Sequence, residues 1–295
     1  MRLTFLVGGL LIALIVGFAL GRASGVGAGS TAGGAMGSMP PSGHTHGPTD
    51  SHPGTALANS EVGGLAVSAG DYTLITGTTT FAAGVPGELR FRIEAPDRRP
   101  LTTFAVAHDK RMHLIVARHD LTGYQHLHPT MAPDGTWRVP LTLPRPGAWR
   151  AYADFAAVGA NGAQTPVTLG VDLTVPGAYG PTALPRAARE SAVDGLTVTF
   201  EGTPQIGASA PLMFRVYGAD GSPLTDLERY LGAYGHLVVL REGDLGYVHV
   251  HPEDQLSGGA VKFWLAAPSP GRYRMFLDFQ RAGTVHTAAY TLVVA

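Results

Sequence analysis

Two heptapeptides, GYQHLHP at 123–129 and GYVHVHP at 246–252, each place two histidines one residue apart, directly before a proline. Neutral imidazole is a nitrogen donor for zinc and copper, so an HxH pair is a minimal metal-binding phrase. A third histidine precedes each pair at a fixed distance. His113 stands 13 and 15 residues before His126 and His128, and His236 keeps the same spacing to His249 and His251.

The spacing has a geometric consequence. MHLIVAR and GYQHLHP read as two strands joined by a four-residue turn, His119 to Thr122. In that register Arg118 opposes Gly123 and His113 opposes His128, and the same rule sets His236 opposite His251. Side chains two apart on a strand share a face, and cross-strand Cβ atoms lie ~4.5–5.5 Å apart. An odd-length turn would flip one strand and destroy the convergence. The pattern therefore predicts one metal site per copy, His113/His126/His128 and His236/His249/His251. Their ring nitrogens would sit ~2.0–2.1 Å from Cu2+ or Zn2+. The competing reading is structural: histidines that brace a sheet face and a proline that ends a strand.

Other residues recur with the triads. Asp154 and Asp278 are candidate acceptors for the second imidazole N–H, which would fix ring orientation. Tyr124 and Tyr247 are expected to fill core or hold a turn. Met112, beside His113, would soften the first site towards Cu(I), whereas its counterpart is Gly235. His108, His119 and His286 have no repeated counterpart.

The elements that must carry these residues are also duplicated. Residues 91–129 align without a gap to 214–252, with 15 identities in 39 positions, and PGAWRAYADF (146–155) matches PGRYRMFLDF (270–279) after one inserted residue. Each unit is a series of short β-branched and aromatic runs separated by Gly and Pro, such as GELRFRIEA, TWRVPLTL, APLMFRVYG and VKFWLAA. That predicts an all-β fold of two tandem immunoglobulin-like β-sandwiches, repeat 1 at 67–177 and repeat 2 at 190–295, joined by a Pro-rich linker at 178–189. LTDLERYLG (224–232) is the one segment with a hint of a helical turn.

The chain of 295 residues carries a net charge of −1, so nothing electrostatic favours nucleic acid or an anionic membrane surface. With no cysteine, disulfides, iron–sulfur clusters, thiolate sites and a lipid-modified cysteine are all excluded, and any metal must use His, Met, Asp or Glu. Residues 1–21 hold an uncharged stretch from Leu3 to Leu20 behind Arg2, which reads as an export signal or an uncleaved membrane-spanning helix, with a GxxxG at Gly17 and Gly21. Residues 22–66, rich in Gly, Ser, Pro and Ala, are expected to be a disordered tether, in which Met36, Met39, His44, His46 and His52 offer loose metal ligands.

With its exported β-sandwiches of about 100 residues and paired histidines, the chain resembles bacterial immunoglobulin-like copper-handling proteins, the YtkA-like and CopC-like groups, over residues 67–295. The CopC-like site also uses a histidine at the mature N-terminus, which no residue here matches. The resemblance implies extracytoplasmic copper binding or delivery without turnover, with a membrane copper transporter or an oxidase under assembly as partner. Three function classes follow. One is a membrane-tethered copper protein, with zinc as the other metal. The second is a structural or interaction module. The third is a zinc hydrolase, because a three-histidine site with an open position activates water. The third lacks a repeated general base: Glu253 follows the second HxHP, but Thr130 stands at the same place in the first. There is no GxSxG nucleophile elbow either.

Overall fold

In a computed structural model the protein is described over residues 62–295, and among these residues the chain is all strand, turn and loop. No helix among them is long and apolar enough to cross a membrane. The expected N-terminal hydrophobic helix at 1–21 and residues 22–61 of the expected tether lie outside the described residues.

Repeat 1 contains β1 (Ser68–Ala69), β2 (Tyr72–Thr76), β3 (Gly87–Glu94), β4 (His113–Arg118), β5 (Gln125–Leu127), β6 (Thr130–Met131), β7 (Trp137–Leu141), β8 (Gly147–Val158) and β9 (Gln164–Val175). They form two sheets, in the orders β1-β2-β3-β7-β6 and β5-β4-β8-β9. Repeat 2 contains β10 (Glu190–Val193), β11 (Leu196–Glu201), β12 (Gln205–Ile206), β13 (Ala210–Tyr217), β14 (His236–Arg241), β15 (Tyr247–Val248), β16 (Val250–Pro252), β17 (Val261–Ala267), β18 (Gly271–Arg281) and β19 (Thr284–Val294). Its sheets run β10-β11-β13-β17-β12, with β16 also on β17, and β15-β14-β18-β19.

Each repeat closes on its own core. In repeat 1, Leu89, Phe91 and Ile93 of β3 meet Leu114 and Val116 of β4 around Trp137 and Trp149. In repeat 2, Phe214, Phe263, Phe279 and Tyr290 fill the same space. Alternation along β3 is the expected one, with Leu89, Phe91 and Ile93 buried and their neighbours turned outward.

β4 breaks that alternation, because all six of its residues are buried. Leu114 and Val116 face the sandwich core, while Ile115 and Ala117 face repeat 2. There a third apolar cluster joins Ile115, Ala117, Leu121 and Tyr152 to Val238, Leu240, Tyr247 and Phe276. A strand covered on both faces reads as an unbroken apolar run. The two repeats belong to one compact unit and share this face.

Two expectations change. The segment LTDLERYLG is not helical: Glu228 bridges Gln280 and Arg281 holds Asp226 at 3.0 Å, so both lie against the β18 hairpin, and Leu231 and Gly232 form a tight turn closed by Tyr230 and Ala233. The last residues of the expected tether, 62–66, are ordered between the repeats. Gly63 bridges Tyr247 of repeat 2, Gly64 N donates to Thr168 O of repeat 1 at 2.9 Å, and Arg150 donates to the carbonyls of Gly64 and Leu65. Glycine is required there. Gly64 has φ +69, and a Cβ on it would lie 2.4 Å from the Tyr152 ring.

Candidate metal centre

The register of the first hairpin pairs Leu114 with Leu127, Ile115 with His126 and Val116 with Gln125, which continues to His113 opposite His128. One ring nitrogen from each of His113, His126 and His128 lies within 4.8 Å of the others. The ring centroids are 5.3 Å (His113–His126), 5.1 Å (His113–His128) and 4.9 Å (His126–His128) apart.

The surrounding acceptors settle the tautomers of two of these rings. His113 Nε2 lies 3.1 Å from Ala107 O, and a carbonyl only accepts, so Nε2 carries the hydrogen and Nδ1 is a lone pair. His126 Nδ1 lies 2.9 Å from Asp278 Oδ2 and donates to it, which leaves Nε2 as a lone pair. These two lone-pair nitrogens face each other at 3.0 Å. Two neutral rings so arranged repel, and a cation relieves them. Two nitrogens bound at ~2.0–2.1 Å to one ion at angles of roughly 90–110° stand about 3.0–3.4 Å apart.

The relieving cation is either a proton on His126 or a metal ion. A proton would let His126 donate to His113 Nδ1, but it leaves His128 Nε2 buried with no hydrogen-bond partner. A metal ion gives lone pairs of all three rings one partner. The residues present fit such an ion. Burial is the main force that pushes His113 down to about 4 and His128 to about 3, with neighbouring imidazoles adding to it, so both rings are neutral ligands at pH 7.

Asp278 comes from repeat 2. Its carboxylate accepts His126 Nδ1–H, the Tyr124 hydroxyl at 2.8 Å and the Thr287 hydroxyl at 2.6 Å. Tyr124 also stacks flat on Phe276 of repeat 2, with centroids 4.1 Å apart. The reverse contact is looser: Tyr247 of repeat 2 packs against Tyr152 of repeat 1, with centroids 5.8 Å apart, and burial together with the nearby Asp154 charge raises its phenol well above its ordinary range. Asp154 accepts the Thr168 hydroxyl at 2.7 Å. Of the tyrosines expected to fill core or hold a turn, Tyr247 fills the apolar cluster between the repeats, and Tyr124 packs against it while tying repeat 1 to the carboxylate of repeat 2. Met112 lies in the core of repeat 1 with Leu114 and Val116, one residue out of phase with His113 and on the opposite face of β4. It is no ligand.

The second triad does not assemble as the first does. Its hairpin starts in the same register, with Leu240 opposite Tyr247 and Val239 opposite Val248. The chain then leaves that sheet, and His251 pairs with Trp264 on β17 in the opposite sheet. His249 and His251 are exposed, with rings 4.9 Å apart, while His236 is 7% exposed on β14. The cause is readable one strand away. Trp264 stands where repeat 1 has Pro140. Proline has no N–H to offer a strand on that edge, so β5 stays on β4, whereas the edge of β17 captures Val250–Pro252.

His236 turns to the first site instead. Its ring lies 6.2 Å from His113 and 6.0 Å from His126. His108, without a repeated counterpart, lies 5.1 Å from His236 and 6.2 Å from His113. It sits in a tight Ala107–Lys110 turn in which His108 and Asp109 both have positive φ, 50 and 59. A search by repetition discards His108, because its equivalent is Leu231.

Fold and site together define a tandem β-sandwich protein with a histidine cluster built where its repeats meet. The chain belongs to the family described as a domain of unknown function, DUF8832, whose profile matches residues 66–172 and again 191–295. No curated protein matches it. Among solved structures, the Escherichia coli adhesin FdeC is 17% identical over 78% of this chain and 66% of its own, with a TM-score of 0.26. Invasin, a bacterial integrin-binding protein, is 14% identical over 78% of this chain and 41% of its own, with a TM-score of 0.24. The D0-D1 domain of intimin is 12% identical over 75% of this chain and 97% of its own, with a TM-score of 0.21.

Proposed function

We propose that the protein is an extracytoplasmic, membrane-tethered metal-binding protein that holds one copper ion, with zinc as the competing metal, at His113, His126 and His128. The observation that carries this reading is the pair of opposed lone pairs, His113 Nδ1 and His126 Nε2, 3.0 Å apart. Imidazole-only coordination suits copper and zinc over harder cations. Export rests on the apolar segment Leu3–Leu20, and the absence of cysteine removes thiolate as a donor. A membrane copper transporter or an oxidase under assembly is the partner class this reading implies.

A second reading has its own observation. His126 Nδ1 and Asp278 form a buried pair at 2.9 Å. With His126 protonated, that pair braces the two repeats, and the protein is a structural or interaction module. Calorimetric titration of the full chain with Cu2+ and with Zn2+ separates the two. The metal reading requires about one tight site, lost in His126→Ala and kept in His249→Ala/His251→Ala. Equal, weak binding by wild type and His126→Ala would leave the brace.

A further inference from the structure

The three ligands from repeat 1 leave one position of a tetrahedral ion open. His236 stands on β14 where His113 stands on β4, and its surroundings repeat those of His113. Its Nε2 donates to Tyr230 O at 2.9 Å, as His113 Nε2 donates to Ala107 O at 3.1 Å. Its only lone-pair nitrogen is therefore Nδ1, as in His113. Four imidazoles on one tetrahedral ion at ~2.0–2.1 Å place their ring centroids roughly 5–5.5 Å apart. The three repeat 1 rings are already at 4.9 to 5.3 Å, and His236 is at 6.0 and 6.2 Å from two of them.

Beside His113, His126 and His236 is a cavity of about 70 Å3, lined also by His108 and His249 but not by His128. A single water needs ~10–15 Å3 on the same measure, so an ion fits. His236 pairs across the strands with Asp278, the carboxylate that orients His126. Repeat 2 thus already positions one ligand of the site, from the residue beside His236.

We propose that His236 is the fourth ligand, so that one ion is held jointly by both repeats and fastens them at the end of their shared face. This deepens the metal reading and rests on it. The second copy of the histidine pattern is then not a second site. It gave up His251 to the opposite sheet, left His249 exposed at the rim of the cavity, and kept His236 for the first.

The test is pulsed EPR of the full chain loaded with one equivalent of Cu2+, counting coordinated imidazoles, with a chelator competition for affinity. Wild type is expected to show four imidazoles. His236→Gln, whose amide can still donate to Tyr230 O, is expected to show three and to bind at least ~10-fold more weakly. Three imidazoles in wild type overturn the proposal without reference to any variant. So does an unchanged count and affinity in His236→Gln, or a nitrogen lost in His108→Ala instead. Absence of tight copper in wild type is a different result, and it overturns the metal reading itself.

Discussion

His113 Nδ1 and His126 Nε2 stand 3.0 Å apart, and neither carries a hydrogen while both rings are neutral, because Ala107 O and Asp278 have claimed the other nitrogen of each. A bound ion removes that repulsion only in the folded state. Metal is therefore expected to raise the melting temperature, with stabilisation of about 2.7 kcal/mol at a hundredfold excess over Kd. Thermal scans with and without Cu2+ check this. The shift should vanish in His126→Ala and persist in His249→Ala/His251→Ala.

Asp278 should matter to metal affinity more than Asp154 does. Asp278 accepts from His126, whereas Asp154 accepts from Thr168 and from none of the three ligands. Asp278→Asn is expected to weaken binding by roughly 10–100-fold, and Asp154→Asn to leave affinity within a few-fold. Chelator competition on the two variants, side by side, gives the comparison. Equal losses would show that both carboxylates act only through the fold.

Acid should destabilise the metal-free protein from about pH 6.5 downward. Unfolded, each histidine titrates near 6.5; folded, burial holds His113 at about 4 and His128 and His236 at about 3. Below pH 6.5 the unfolded chain binds protons that the fold does not, so stability falls as pH drops towards 4 and is flat above neutrality. Denaturant midpoints at pH 7.5, 6 and 4.5 should decrease in that order. His236→Gln should flatten the slope.

How much of this was legible in the sequence depends on what repetition records. The turn His119–Thr122 and the even spacing of His113, His126 and His128 set register and face, because both are local and obey a period of two. The second site failed on a non-local fact. Whether His251 stays opposite His236 depends on the neighbouring edge, where Trp264 replaces Pro140. The pairing of Tyr124 with Asp278 was hidden for a related reason: aligning the repeats shows what each retains, but not that the two copies pack on each other. The unbroken burial of β4 was the available signal, as HLIVAR is apolar at both phases.

The shared face predicts that the repeats unfold together. Tyr152 of repeat 1 is fully buried and donates to Leu245 O of repeat 2 at 2.7 Å, inside the cluster with Val238 and Leu240. Calorimetry should show one transition, with the calorimetric and van't Hoff enthalpies equal. Leu240→Ala should lower stability by about 2–5 kcal/mol and begin to split that transition.

Gly64, in the segment between the repeats, should be intolerant of a side chain. Gly64→Ala combines φ +69 with a Cβ 2.4 Å from the Tyr152 ring, and is expected to cost roughly 1–3 kcal/mol. Chemical denaturation of the variant measures it. A neutral result would mean that this segment does not hold the interface.

The ion's position is the most direct test of the central claim. Crystals of the protein soaked with Cu2+ or Zn2+ and measured at the metal's absorption edge should show one strong anomalous peak, ~2.0–2.1 Å from both His113 Nδ1 and His126 Nε2. A peak at His249 and His251 with none between His113 and His126, or no peak at all, would contradict the account.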